Sequence, residues 1–466
     1  MTFSGYRDNR RKAEAKVVNV NDPNQAYLNQ QPHWDLVETL VGGTYDIRQK
    51  HRKYLPQEPR ETDEQYDLRL YRSCLSPLYS RLEKMLAGFL VRKPVRLNNT
   101  DDEIREDLFD VNLMGDDLNI YTFEIAKKCI RYGHIGVLVD SPRAEDGTGR
   151  PYWVTYTPKD IIGWRTEKKE GRDELVQLRL TEKVVIPDGP WGEKEVEQIR
   201  VLTPGAYEIY QKDAKSSDFK VVESGATSLD RIPFAVAYSN RVGLYESRPP
   251  MSDICELNLK HYQISSDYDH MLHISAVPML GLFGYPQTDG EIAAGPGEAI
   301  CMPAEATASY IEPSGNSFDA QSGRIEQIEK QINDLGLAAV LGTKLTAESA
   351  KKAEIDRSQG DSTMKVLAQQ VQDLIDNCLE FHGEYLNKNP GSCFINRDFL
   401  SSRLDPAEIN SLLQLYTAGT ISKETLLEQL NEGEVLGDDF NIEEELEATE
   451  QAGLVDMLPP EEKEEA

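Results

Sequence analysis

The chain has 466 residues, 39% of them hydrophobic and 28% charged, enough for several modules with a sizeable core and a very polar surface. Its formal net charge is −29, opposite in sign to that of proteins that grip nucleic acid by its phosphates. No run reaches the roughly 18–20 apolar residues of a membrane span, and MTFSGYRDNRRK lacks a signal-peptide core, so a soluble cytoplasmic product is expected. Its cysteines (Cys74, Cys129, Cys255, Cys301, Cys378, Cys393) form no C-x-x-C pair, which argues for reduced thiols rather than a disulfide framework or zinc knuckle.

Residues 1–33 read as a flexible arm, basic at Arg10–Lys12 and without apolar periodicity. A helix is expected from about Trp34 to Gln49, with Leu36, Val37, Leu40 and Val41 on one side. After a connector punctuated by Pro56 and Pro59, Thr62 is a suitable N-cap for a long helix reaching about Val91 and kinked at Pro77. A further helix fits about Leu118–Tyr132.

From Gly133 the period becomes strand-like. GVLVD, YWVTY, DIIGW, LVQLRL, QIRVL, YEIYQ, FKVV and FAVAY are short runs rich in Val, Ile, Tyr and Trp, divided by turns such as KKEGRDE and PDGPWGEKE. They predict an antiparallel sheet region inserted between helical parts. Next, Pro249 and Pro250 lead into a helix over Met251–Ala276, ended by Pro278. Ile254, Leu257, His261, Ile264, Tyr268, Met271 and Ser275 step by three and four along it, a single seam.

Extended chain is expected over Phe283–Ser314, then a helix over about Phe318–Leu341 with Ile325, Ile328, Ile332, Leu335 and Ala339 on one face. Gly336 weakens that helix and Gly342 stops it. Thr346 caps a very long helix, about Ala347–Leu386, whose seam is Met364, Leu367, Val371, Leu374, Cys378 and Phe381, with a bend at Gly360. A short strand in SCFINRDF and two small helices, Asp405–Ala418 and Ser422–Asn431, precede an acidic tail.

Catalytic signatures are absent. GLAAVLGTK (Gly336–Lys344) has the wrong spacing and order to cradle phosphates, and no G-x-S-x-G, dinucleotide fingerprint or H-E-x-x-H occurs. The one metal-like constellation is DYDHMLH, in which Asp267, His270 and His273 recur every third residue of a helix beside Asp269. A polar helix face or subunit contact explains it as well; a metal-dependent nuclease or hydrolase is the alternative it leaves. Paired carboxylates such as Asp101-Asp102 are expected by chance in so acidic a chain.

Several strings, in order, resemble a tailed-bacteriophage portal protein, in particular a portal family first recorded as a domain of unknown function. They are WDLVETLVGGTYDIRQKHRKYLP, ETDEQYDLRLYRSCLSPLYSRLEKMLAGFLVRKP, LKHYQISSDYDHML, SGRIEQIEKQINDLG, the stretch from TKLTAES to EFHGEYL, and LDPAEINSLLQLYTAGTISKETLLEQLNEGEVL, together covering about Trp34–Leu436. The resemblance implies an α+β portal fold with long stem, tunnel and wing helices, a β-rich antiparallel wing and clip, and a helical C-terminal crown. On that pattern residues 34–203 are wing, 204–248 clip, 249–278 stem, 279–317 wing strands, 318–342 tunnel, 343–403 the long wing helix, and 404–466 crown and tail.

A portal is a homo-oligomeric ring of about twelve subunits at one capsid vertex, passing double-stranded DNA during packaging and ejection. The partners implied are a terminase, the major capsid protein, a scaffold and a tail adaptor, in a virion assembled from chains made in the bacterial cytoplasm. No membrane, cofactor, metal or enzymatic activity is implied. Carried onto this sequence, Arg324, Glu326, Gln327, Lys330, Gln331 and Asn333 are candidates to line the tunnel. Asp253, Glu256, Lys260, Gln263 and Asp267 are candidates for a stem face toward the channel or a neighbouring subunit. A non-portal helical head–tail adaptor is the other alternative, disfavoured by the length and the inserted sheet.

Overall fold

A computed structural model describes residues 19–141, 149–169, 171–212, 219–276, 279–284, 305–311, 316–341, 350–397 and 406–433, with a few isolated positions after 398. Thr346, Gly342 and the acidic tail from 451 lie outside the described residues. The chain divides into two compact units, Met1–Arg397 and Asp398–Ala466. It mixes helices with antiparallel strands, an α+β architecture.

The first unit opens with α1 (Gln25–Gln49), α2 (Asp63–Arg72) and α3 (Leu78–Leu90). Helix α1 starts well before the expected Trp34, and Pro32 lies inside it. The residues ahead of it are stapled to two paired strands: Asn24 N donates to Ile162 O at 2.8 Å, and Arg179 donates to Val20 O and Asp22 O at 2.8 and 2.9 Å. Gly43 kinks α1 at φ 76°, a region closed to most side-chain-bearing residues.

The long helix expected from Thr62 to Val91 is two helices. Thr62 does cap α2, in a capping box with Gln65. The chain then breaks at 73–77 because Pro77 has no N–H and disfavours helical backbone at Ser76. The freed backbone groups find partners elsewhere. Ser73 O accepts from Arg48, Leu75 N donates to Thr44 Oγ1, and Asn258 bonds both Ser76 O and Tyr79 N.

Next come β1 (Arg96–Asn98), α4 (Asp102–Asp107) and α5 (Leu118–Tyr132), the last capped by Asp117 through Ile120 N. The strands β2 (His134–Asp140), β3 (Tyr152–Tyr156), β4 (Ile161–Lys169), β5 (Arg172–Asp188), β6 (Gly192–Thr203), β7 (Ala206–Lys212), β8 (Phe219–Ala226) and β9 (Phe234–Tyr238) follow. They form two antiparallel sheets, β3-β2-β9 and β4-β5-β6-β7-β8. Leu138, Tyr156, Phe234, Leu178, Leu180 and Leu202 join them in one core cluster. The expected boundary at 203/204 falls inside the β6–β7 hairpin, Thr203 pairing with Ala206, so one sheet runs through both expected parts. The β5–β6 pairing continues to Asp188–Gly192, past the ends of β4 and β7, as a projecting ribbon.

The remainder of the unit is β10 (Arg241–Gly243), β11 (Glu246–Ser247), α6 (Ser252–Ser275), β12 (Met279–Phe283), β13 (Thr307–Ile311), α7 (Asn316–Leu341), α8 (Ala350–Leu386) and β14 (Ser392–Phe394). β13 lies within the stretch expected to be extended and pairs with β12 just ahead of it; β1, not anticipated, pairs with β14. Helix α8 continues through Gly360 without a break, and its whole expected seam is buried. Helix α8, with Leu374 and Cys378 fully buried, packs against α5, α7, β2, β9 and β14 as the spine of the core. Among the described residues no helix is long and apolar enough to cross a membrane.

The second unit holds α9 (Pro406–Thr417) and α10 (Lys423–Glu432), close to their expected bounds. Ser422 caps α10, accepting from Thr425 N at 3.1 Å.

Candidate functional surfaces on helices α6 and α7

Helix α6 buries only Ile254 and His261 of the seam its sequence suggests, together with a line beside it. Ile254, Cys255, Asn258, His261, Tyr262 and Ser266 are inside, whereas Leu257, Ile264, Tyr268 and Met271 are half-buried. The reason is polar: the break between α2 and α3 exposes backbone groups that Asn258 satisfies, and Ser266 Oγ accepts from Ser73 Oγ at 2.7 Å. Hydrophobic periodicity alone points about one position away from such a face.

Of the five expected stem-face residues, Asp253, Glu256 and Lys260 form one exposed line. Gln263 and Asp267 are half-buried and bonded to neighbouring elements. Gln263 donates to Tyr54 O at 2.9 Å, and Asp267 Oδ1 lies 3.5 Å from the Arg69 guanidinium. Arg69 is a buried hub: it holds Glu61 at 2.7 and 2.8 Å and Pro56 O at 2.8 Å. Its hydrogen bonds draw the Glu61 carboxyl below the usual range, whereas burial raises Asp267 against the opposing pull of Arg69.

The DYDHMLH constellation does not assemble. Asp267 faces Arg69; His270 Nδ1 lies 3.3 Å from Arg72, and burial followed by those arginines lowers its pKa; His273 is exposed. A guanidinium occupies the approach a cation would need. Among the described residues no three His, Cys, Asp or Glu side chains are grouped to hold a metal ion.

Helix α7 packs antiparallel to α6. Phe318 meets Tyr268 edge-on at 6.4 Å, Glu329 Oε1 lies 3.0 Å from His261 Nε2, and Leu335 shares a 120 Å³ apolar cavity with Ile254. At that end the backbone of Gly336 approaches α3 so closely that a Cβ would fall 2.6 Å from Leu82 Cδ1. Ile328, Ile332 and Gly336 are buried on this face, whereas Leu335, expected with them, is exposed.

The opposite face is wet. Arg324, Glu326, Gln327, Lys330, Gln331 and Asn333 are all exposed. Arg324 donates to Gln327 at 2.7 Å, so its charge is held along the helix. The alternation gives a helix clamped on one side by α3, α6 and α8, presenting a mixed polar face of nearly balanced charge on the other. The ties that fix it, His261–Glu329 and Gly336 against Leu82, were not anticipated; the histidine interrupting the apolar seam was their only sequence signal.

A family model described as Domain of unknown function (DUF4055) matches residues 250–386, spanning α6 to the end of α8. No curated protein matches the chain. Similar solved structures include a chain in the virion of a native gene transfer agent particle, 12% identical, covering 76% of this chain and 90% of that one at a TM-score of 0.40. Others belong to the neck of the native particle computed with C12 symmetry (12% identity, 76% and 89% coverage, TM-score 0.40) and the neck of the empty particle computed with C6 symmetry (13%, 77% and 90%, 0.39). At such TM-scores the likeness carries no argument.

Proposed function

We propose that this protein is a portal subunit: a ring-forming conduit at one capsid vertex through which double-stranded DNA enters and leaves. The observation that carries the reading is the outward face of α7, where all six residues expected to line a tunnel are exposed while Ile328 and Ile332 anchor the helix behind them. The ordered sequence strings that resemble portals, from which the choice of α7 comes, support it as well.

The chemistry suits a conduit. A duplex carries one negative charge per about 1.7 Å, so a strongly basic lining would hold it, whereas an acidic or neutral one lets it slide. Here Arg324 and Lys330 offer transient contacts among Glu326, Gln327, Gln331 and Asn333. Asp253, Glu256 and Lys260 on α6 give a second polar line toward the channel or a neighbouring copy. With no phosphate-cradling loop in the sequence, the packaging energy comes from a separate terminase, docked on strands within 204–248. The major capsid protein, a scaffold and a tail adaptor are the remaining partners, and the protein acts without catalysis of its own.

Photo-crosslinking tests this. A benzophenone amino acid at Gln331 in DNA-filled particles should label DNA, whereas the same probe at outlying Trp191 should not; equal labelling, or none at Gln331, rejects the reading.

A further inference from the structure

Two exposed apolar patches with opposite polar frames lie on the first unit. One is a knuckle between α4 and the first turn of α5: Phe109 is 76% and Met114 85% exposed, with Leu113 and Ile120 beside them. The loop that presents them is tightly tied. Val111 N donates to Asp116 O at 2.8 Å, Gly115 N to Asp110 Oδ1 at 2.7 Å, and Asn112 to Asp116 at 2.7 Å. Leu113 sits at φ 60°, a conformation that costs a leucine and persists because those bonds over-determine the loop. The knuckle's frame is acidic, with Asp110, Asp116 and Asp117, of which Asp110 lies 3.4 Å from Arg150.

The second patch joins α1 to the end of α2. Tyr45 is 73% and Tyr71 74% exposed, with Leu68 one turn before Tyr71. Arg48 connects the helices, its guanidinium 5.4 Å from the Tyr71 ring centre and donating to Tyr71 O at 2.5 Å. The frame at this end is basic by one charge, Arg48, Lys50 and Arg72 against Asp46 and Asp67, with Asp63 and Glu64 at the start of α2.

We infer that these patches are the two halves of one heterologous contact, the Phe109–Met114 knuckle of one copy seating on the Tyr45–Tyr71 patch of the next. This rests on the ring reading above and names its subunit interface. A closed ring needs two different surfaces on every subunit, each matched to the other. Large exposed aromatic and methionine side chains mark such contacts, and acidic and basic frames fix which patch meets which.

The test uses the full-length chain with Met114→Glu and Tyr71→Glu, each checked for an unchanged melting curve, with Phe109→Glu and Leu68→Glu as replacements should either misfold. By mass photometry, each variant alone should remain monomeric at concentrations more than about tenfold above those at which the wild type assembles. Mixed one to one, the variants retain a single good joint and should give dimers but no rings. Rings from either variant alone, or no dimer from the mixture, overturn this interface and leave the ring reading standing. A wild-type chain that stays monomeric throughout overturns the ring reading and the interface with it.

Discussion

His261 on α6 and Glu329 on α7 meet at 3.0 Å, from a buried imidazole to a half-buried carboxylate, midway along the antiparallel pair. The contact fixes the rotation of α7 and hence which residues face outward. His261→Ala removes the bond and leaves a cavity, and should cost about 2 kcal/mol in urea unfolding. Glu329→Gln keeps a hydrogen-bonding group and a solvated end, and should cost under about 1 kcal/mol. Hydrogen exchange should quicken in α7 for the first variant and little for the second.

Glu83 and Arg131 form a bidentate pair at 2.8 Å between α3 and α5, with the Glu83 side chain fully buried. Removing one partner strands the other charge. Glu83→Ala should therefore destabilise by about 3–5 kcal/mol, whereas the double change Glu83→Leu with Arg131→Met should recover much of that loss. Chemical denaturation of both variants decides it; a double mutant no better than Glu83→Ala would contradict the account.

Gly336 is a point of close approach as well as a helix weakness. Alanine there gains about 1 kcal/mol of helix propensity but drives its methyl into Leu82, and the overpacking costs about 1–3 kcal/mol. Gly336→Ala should be neutral to destabilising alone, and Gly336→Val clearly worse. Adding Leu82→Ala to Gly336→Ala should cost less than Leu82→Ala in the wild type, a coupling that thermal melts of the four proteins would read.

His134 lies buried at the start of β2, bonded through Nδ1 to Ser247 Oγ at 2.8 Å and stacked on Tyr238. Burial lowers its pKa to about 3. Because the folded value is depressed below the unfolded value of about 6.5, this contribution is complete above pH 6.5 and is lost as pH falls toward 3. Between pH 7 and 5 the loss is about 2 kcal/mol. His134→Gln should lose correspondingly less stability over that interval; identical pH slopes would contradict the assignment.

Local signals in the sequence located most elements. Thr62 caps the helix it is expected to begin, Ser422 caps the one expected from that residue on, and the Met364–Phe381 seam of α8 is buried throughout. The failures are long-range. The register of α6 is set by Asn258 and Ser266 bonding a chain break nearly two hundred residues earlier, which no window around α6 contains. The break itself was legible only as a kink at Pro77. Among the site residues, the polar face of α7 was readable from amphipathicity, whereas the partial burial of Gln263 and Asp267 depends on Tyr54 and Arg69.

The most direct test of the conduit is a cryo-electron microscopy reconstruction of the assembled protein. The account predicts a closed ring with a lumen wider than the roughly 20 Å of duplex DNA, Gln327 and Gln331 of α7 facing that lumen, and α6 behind or beside it. A ring with α7 on its outer wall, or an assembly without a through-channel, would contradict it.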